Sequence, residues 1–120
     1  IGVATPHEID ELNVLNASHL AMKRALKNLP VLPKKILIDG SHVPEGIQNA
    51  DSVLKGDSLI QEISAASVFA KVFRDSLMQI YSQKYKFYSF QNNKGYPTPE
   101  HKNAISRYGL SEIHRKSFKI

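Results

Sequence analysis

One hundred and twenty residues, 42% of them hydrophobic, are enough for one domain with a buried core, and the absence of cysteine excludes disulfides and thiolate metal sites. Sixteen Lys and Arg against eleven Asp and Glu leave a net charge of +5, a balance that favours polyanionic partners, nucleic acid above all. No apolar run reaches membrane-spanning length and no secretory signal opens the chain, so the composition fits a cytoplasmic protein with no membrane partner.

The chain opens on IGVATPHE without a methionine. Ile1–Ala4 reads as the end of a strand, and the start reads as the middle of a longer protein. Thr5-Pro6-His7-Glu8 is a helix opening: Thr caps, Pro takes the first helical position, and Glu stands three after the cap. The helical pattern continues, with a break expected at Asn13. Val14, Ala17, Ala21 and Ala25 form one stripe, and Leu15, Met22, Leu26 and Leu29 another beside it. Pro30 and Pro33 end this region. Ile36-Leu37-Ile38 then reads as a strand buried on both faces, the pattern of a parallel sheet, although so short a run also fits a helix. Residues 41 to 50 are loop, with Pro44 and Gly46 as breakers.

Residues 51 to 57 (DSVLKGD) read as a second short strand running into Gly56 and Asp57. The strongest helix follows, with Ile63, Ala66, Ala70, Phe73, Leu77 and Ile80 at the spacing of a buried face. Ser64-Ala65-Ala66-Ser67 keeps its first turns slim enough for a neighbouring backbone to approach. Residues 84 to 97 (KYKFYSFQNNKGYP) read as a basic, aromatic-rich loop, and from Lys84 onward the only acids are Glu100 and Glu112. Thr98-Pro99 repeats the cap-plus-proline signal for a short helix with Ala104 and Ile105 inward, ending near Gly109. There is no internal repeat and no linker, so the expectation is one domain over residues 1–120.

Asp39 and Asp57 share a grammar of apolar strand, aspartate and turn. In open α/β sheets the reactive crevice lies beyond the carboxyl ends of parallel strands, where two such acids are able to share a hard divalent cation. The alternative is that each is an ordinary turn residue, since Asp-Gly and Gly-Asp are common turn dipeptides. Asp75, beside Arg74 on the long helix, suits a solvated or ion-paired role. The histidines show no zinc spacing; His7 and His19 suit a helix surface, and His101 and His114 suit phosphate contact or packing equally. No GxSxG or GxxxxGK[ST] motif is present. Within Asn92-Asn93-Lys94-Gly95-Tyr96-Pro97, lysine, glycine and tyrosine offer a phosphate contact, a close backbone approach and a ring to lay on a sugar or base; the alternative is a turn whose Tyr96 fills the core edge.

In order and spacing, ILIDGS, VLKGDS, EISAASVFAKVFRD, NKGYPTPEH and YGLSEIHRKSF resemble ribonuclease HII, over essentially the whole chain and including ATPHEIDELN. The resemblance implies an α/β, ribonuclease-H-like mixed sheet flanked by helices, with the C-terminal strands and helices in this chain. It implies an endonuclease that cuts the RNA strand of RNA–DNA hybrids and single ribonucleotides embedded in duplex DNA, working with Mg²⁺ or Mn²⁺ and four carboxylates, and monomeric when complete. It places two of those carboxylates on Asp39 and Asp57, as metal ligands and catalytic residues. Tyr96 it places on the deoxyribose after the ribonucleotide, with Lys55 and Lys94 as candidates for backbone phosphates; Asp75 is not among the ligands.

Three departures from the family pattern stand out. Ser41 replaces the usual Asn after IDG, and Asn93 replaces the usual His before KGY, which is expected to weaken a contact near the scissile phosphate. The DExGRG element, which carries the other two carboxylates on the family's first strand, does not occur in this sequence. The leading expectation is therefore an enzyme missing its first strands; the alternative is a non-catalytic nucleic-acid-binding piece that needs a partner segment. Alone, the chain is expected to expose the apolar edge of its Ile36-Leu37-Ile38 strand and to be poorly stable or associated through it.

Overall fold

The computed structural model describes residues 1–119. Helix α1 (Pro6–Lys27) opens on a reciprocal cap: the Glu8 amide donates to Thr5 Oγ1 at 3.2 Å while the Thr5 amide donates to Glu8 Oε2 at 2.9 Å. Two of the amide donors that a helix start leaves without partners are satisfied this way. The helix breaks at Asn13 (φ 69°, ψ 168°), and Asn13 re-caps the next turn by accepting from the Asn16 amide at 3.0 Å. The break expected from the sequence is thus an Asn at positive φ with extended ψ, a conformation that a helix cannot continue through and that few residues other than Gly adopt.

The chain divides into two compact units, residues Ile1–Val3 with Ser18–Lys71, and residues Ala4–Ala17 with the chain from Val72 onward. In the first unit, strands β1 (Ile36–Asp39) and β2 (Ala50–Val53) pair in parallel, Ile36 opposite Ala50 and Asp39 opposite Val53. Among the described residues these two strands are the whole sheet. The expected mixed sheet is therefore seen only as this parallel pair. The lead-in Ile1–Ala4, expected to end a strand, carries no sheet pairing. It lies along α1 instead: Arg24 Nη1 donates to the Val3 carbonyl and Asn28 Nδ2 to the Ile1 carbonyl, both at 2.8 Å. A Cβ on Gly2 would collide with the Ala21 carbonyl oxygen, so glycine is what allows this contact.

β1 is not buried on both faces. Ile38 is buried, Leu37 remains 37% exposed and Asp39 is exposed, because a strand with one neighbour has one side of its ladder and part of its surface uncovered. After β2 the chain does not run straight into a turn. Lys55 adopts a left-handed conformation (φ 53°) and a short helix α2 (Gly56–Leu59) begins, so Asp57 sits in the first turn of a helix and not at a strand end. Ile60 is extended, and the long helix α3 (Gln61–Lys84) follows.

The expected buried stripe of α3 is mostly open. Ile63 is buried and Leu77 half-buried, but Ala66, Ala70, Phe73 and Ile80 are exposed, and Phe69 is 73% exposed. The slim turns Ala65-Ala66-Ser67 are exposed too. Apolar periodicity identifies a face suited to burial; it does not supply the element that covers it.

The second unit has a core of Met78, Tyr88, Phe90 and Ala104, with Tyr81, Tyr85, Ile105 and Ile113 packed around it. The supposed loop 84 to 97 is largely built of two short helical pieces, a 3₁₀ turn (Lys86–Tyr88) and α4 (Phe90–Asn93), joined through left-handed Ser89 (φ 53°). Its aromatic residues Tyr88 and Phe90 point inward and stack with centroids 5.4 Å apart. Helix α5 (Pro99–Tyr108) has the expected cap, the His101 amide donating to Thr98 Oγ1 at 3.2 Å, and stops at Gly109 (φ 78°). The tail is pinned to the first turns of α1, where Asp10 accepts from the amides of Lys116 and Ser117 at 3.0 and 2.8 Å.

Candidate nucleic-acid and metal site

Asp39 closes β1 at the carboxyl end of the parallel pair, and one of its oxygens is fixed. The Gly56 amide donates to Asp39 Oδ1 at 2.9 Å, which ties the acid of one strand to the turn that follows the other. Gly56 is buried, and a Cβ there would lie 2.6 Å from Ile63 Cδ1 and 3.5 Å from Asp39 Oδ1. It is the closeness to Ile63 that leaves no room for a side chain at residue 56. The next residue is Asp57, exposed in the first turn of α2. The two sequence-predicted acids are thereby brought to neighbouring backbone positions, by a strand end and a helical turn.

Carboxylate oxygens are the donors that hard divalent cations prefer, so Asp39 and Asp57 fit such an ion by donor type. Among the described residues no group of three or more acids or histidines is placed to hold a metal. Lys55, one of the phosphate candidates, is exposed beside it, its carbonyl accepting from the Ser58 amide at 3.0 Å. Ser41 is exposed, 2.6 Å from the His42 ring through its hydroxyl.

The second unit presents the tyrosine loop. Tyr96 is 55% exposed, which goes against its filling the core edge. The loop beneath it is braced from inside. Asn93 is buried; it donates to the Tyr88 carbonyl at 2.6 Å and accepts from the Gly95 amide at 2.8 Å. Asn93 therefore shapes the loop from inside. Lys94 is also less available than expected. Its ammonium donates to the Gln91 carbonyl at 2.6 Å and to Gln79 Oε1 at 3.3 Å.

Two arginines that sequence reasoning missed stand near this loop. Arg74 Nη2 donates to the Lys94 carbonyl at 3.1 Å. Arg115 lies with its guanidinium 3.7 Å from the centre of the Phe118 ring. Burial, and then the nearby positive charge of Arg74, push the Arg115 guanidinium down from its ordinary value, while the Tyr96 phenol and Asp10 oppose this. Positive charge is thus concentrated beside an exposed tyrosine, the combination that holds a phosphate backbone and a stacked sugar or base. The basicity of the C-terminal third was a sequence signal for Arg115 but not for Arg74. His101 and His114, left between phosphate contact and packing, are both buried. Packing is what the structure gives them.

The fold and these sites define an α/β protein with hard carboxylate donors at the end of a parallel strand pair and, on its other unit, a tyrosine flanked by arginines. The chain belongs to the ribonuclease HII family, whose sequence model matches residues 3–120. It is 45% identical over 119 residues to the ribonuclease HII of Shewanella piezotolerans, covering 99% of this chain and 59% of that protein. The corresponding figures are 50% over 113 residues for Borreliella burgdorferi (93% and 62%) and 49% over 119 residues for Alteromonas mediterranea (99% and 63%). The chain thus spans about three fifths of the length of these relatives. No helix among the described residues is long and apolar enough to cross a membrane.

Proposed function

We propose that this chain carries part of a metal-dependent endoribonuclease with a ribonuclease-H-like fold. Its substrates are the RNA strand of RNA–DNA hybrids and single ribonucleotides in duplex DNA. Family membership supports the reaction class. The observation that carries the site is the bond from the Gly56 amide to Asp39 Oδ1, which links the strand-end acid to the turn bearing Asp57. In this reading Asp39 and Asp57 hold Mg²⁺ or Mn²⁺ through carboxylate oxygens. When bound, such cations activate the attacking water and stabilise the departing 3′ oxygen. Asp39, fixed by β1 and by the Gly56 amide, keeps its carboxylate in one orientation, and rigid support of this kind is what a catalytic ligand requires. Tyr96 lays its ring on the deoxyribose after the ribonucleotide, and Arg74 and Arg115 favour the phosphates near it. Lys55 takes a backbone phosphate; Lys94 does so only by giving up its bonds to Gln79 and Gln91.

A second reading, nucleic-acid binding without catalysis, is favoured by one observation: the described residues bring no third acid or histidine to the Asp39–Asp57 pair. A Mg²⁺-dependent nicking assay on duplex DNA with one ribonucleotide separates the two. The chain joined to a DExGRG-bearing segment from a relative should cut the strand at the ribonucleotide, and its Asp39→Asn form should not. Binding without cutting by the joined protein would leave the second reading in possession.

A further inference from the structure

A line of hydrogen bonds runs through the core of the second unit and ends on the backbone of Tyr96. The Ser111 amide donates to His114 Nδ1 at 2.9 Å; His114 Nε2 and His101 Nε2 are 2.9 Å apart; His101 Nδ1 is 2.8 Å from the Tyr96 carbonyl oxygen. Its two ends dictate where the protons are. An amide can only donate, so His114 Nδ1 accepts and the proton of the neutral ring is on Nε2. That proton points at His101 Nε2, which must accept, so His101 carries its proton on Nδ1. A carbonyl can only accept, and it is a carbonyl that faces this Nδ1. Both ends demand the same arrangement of two neutral rings, one in each tautomer.

We propose that His101 and His114 are a proton-ordered pair of positioning residues that hold Tyr96 in its substrate-facing place. This rests on the reading of Tyr96 as the residue laid on the nucleic acid. The pair has no slack for a further proton. On His101 Nε2 it would set two N–H groups against each other across 2.9 Å; on His114 Nδ1 it would oppose the Ser111 amide, with only the Ser111 hydroxyl (2.7 Å) able to turn and accept.

Burial sets the surroundings of His114 against a positive charge. Tyr88 and Phe90 pack their rings on both histidines, and the Tyr88 hydroxyl donates to the Gly109 carbonyl. Arg115, next along the tail, adds positive charge. Of the nearby acids, Glu100 accepts from the Ser89 hydroxyl, Glu112 from the Tyr85 hydroxyl, and Asp10 from Ser117. Burial first, then His101 and Arg115, hold His114 below the ordinary histidine value against an opposing contribution from the Ser111 backbone.

The test has a spectroscopic arm on the chain and a kinetic arm on the chain joined to a DExGRG-bearing segment. Long-range proton–nitrogen correlation at neutral pH should show His114 protonated on Nε2 and His101 on Nδ1, both rings neutral. The reverse tautomers, or a charged ring, would overturn the proposal. His101→Phe keeps the ring's shape and removes its bonds, and should raise KM for single-ribonucleotide duplexes about tenfold, the scale of one lost stacking contact, with little change in kcat. His101→Asn returns a donor to the Nδ1 position and should recover most of that KM. If His101→Phe fails to fold, the Asn variant and the tautomer measurement still decide. Unchanged KM in a folded Phe variant, or an Asn variant with the same defect as Phe, would reduce the pair to packing. Should Tyr96→Ala itself leave KM unaltered while the tautomers are as stated, the failure belongs to the Tyr96 reading and the proposal falls with it, identifiably for that reason.

Discussion

Replacing Gly56 by alanine tests whether the tie between the two acid-bearing turns is what organises them. The added methyl would lie 2.6 Å from Ile63 Cδ1 and 3.3 Å from Val53 Cβ, both closer than carbon atoms pack. Ile63 is buried, so its tip can move only by displacing neighbours, and Val53 is held by β2. Overpacking of this kind costs about 1–3 kcal/mol. The strain is relieved most simply by moving α2 away from β1, which lengthens the 2.9 Å bond from the Gly56 amide to Asp39 Oδ1. The expected result is a lower urea midpoint with an unchanged slope, together with a nicking activity that needs more Mg²⁺ to saturate. Ile63→Val removes the offending Cδ1 and alone costs about 0.5–1.5 kcal/mol. Combined with Gly56→Ala it should cost less than the sum of the two, because the clash is gone. Strict additivity, or a Gly56→Ala protein with the stability and Mg²⁺ dependence of the parent, would refute the reasoning.

Three further outcomes are expected. Asp39→Asn in the joined, active protein should abolish nicking while circular dichroism and melting temperature stay near the parent's, because shape is kept and a ligand's charge is lost. Tyr96→Ala should weaken substrate binding by about 1–3 kcal/mol, most on single embedded ribonucleotides and least on long hybrids; since the ring is exposed, its melting temperature should barely move. Stability should also depend on His114. Its folded value lies below the unfolded one near 6.5, so the unfolded chain takes up the proton first and stability falls as the pH drops below that value. Urea midpoints from pH 8 to pH 5 read this directly, and His114→Gln should flatten the slope.

Local signals carried much of the fold. Thr5-x-x-Glu8 and Thr98-Pro99 were legible as helix starts because a cap is made within four residues of chain. Gly109 and Asn13 were legible as ends and breaks for the same reason, a backbone preference that acts on the spot. Ile36-Leu37-Ile38 was legible as a strand, and the acid at its end as a candidate ligand, since periodicity and turn chemistry are short-range. The family resemblance rests likewise on motifs in order, and the family match over residues 3–120 agrees with it.

What lay beyond the sequence depends on which elements meet. Asp57 looked like a strand end, but left-handed Lys55 turns the chain into a helix there, with Gly56 packed closely against Ile63. Tyr88 and Phe90 looked like loop aromatics until packing drew them into a core with Met78 and Ala104. The stripe along α3 promised burial that only a covering element provides. Arg74 and Arg115, 41 positions apart in the sequence, gain meaning by proximity to one loop. In the same way His101 and His114 were two interchangeable candidates in the sequence. Hydrogen-bond direction is decided by the partners at both ends, an amide on one side and a carbonyl on the other, and only the folded chain brings those together.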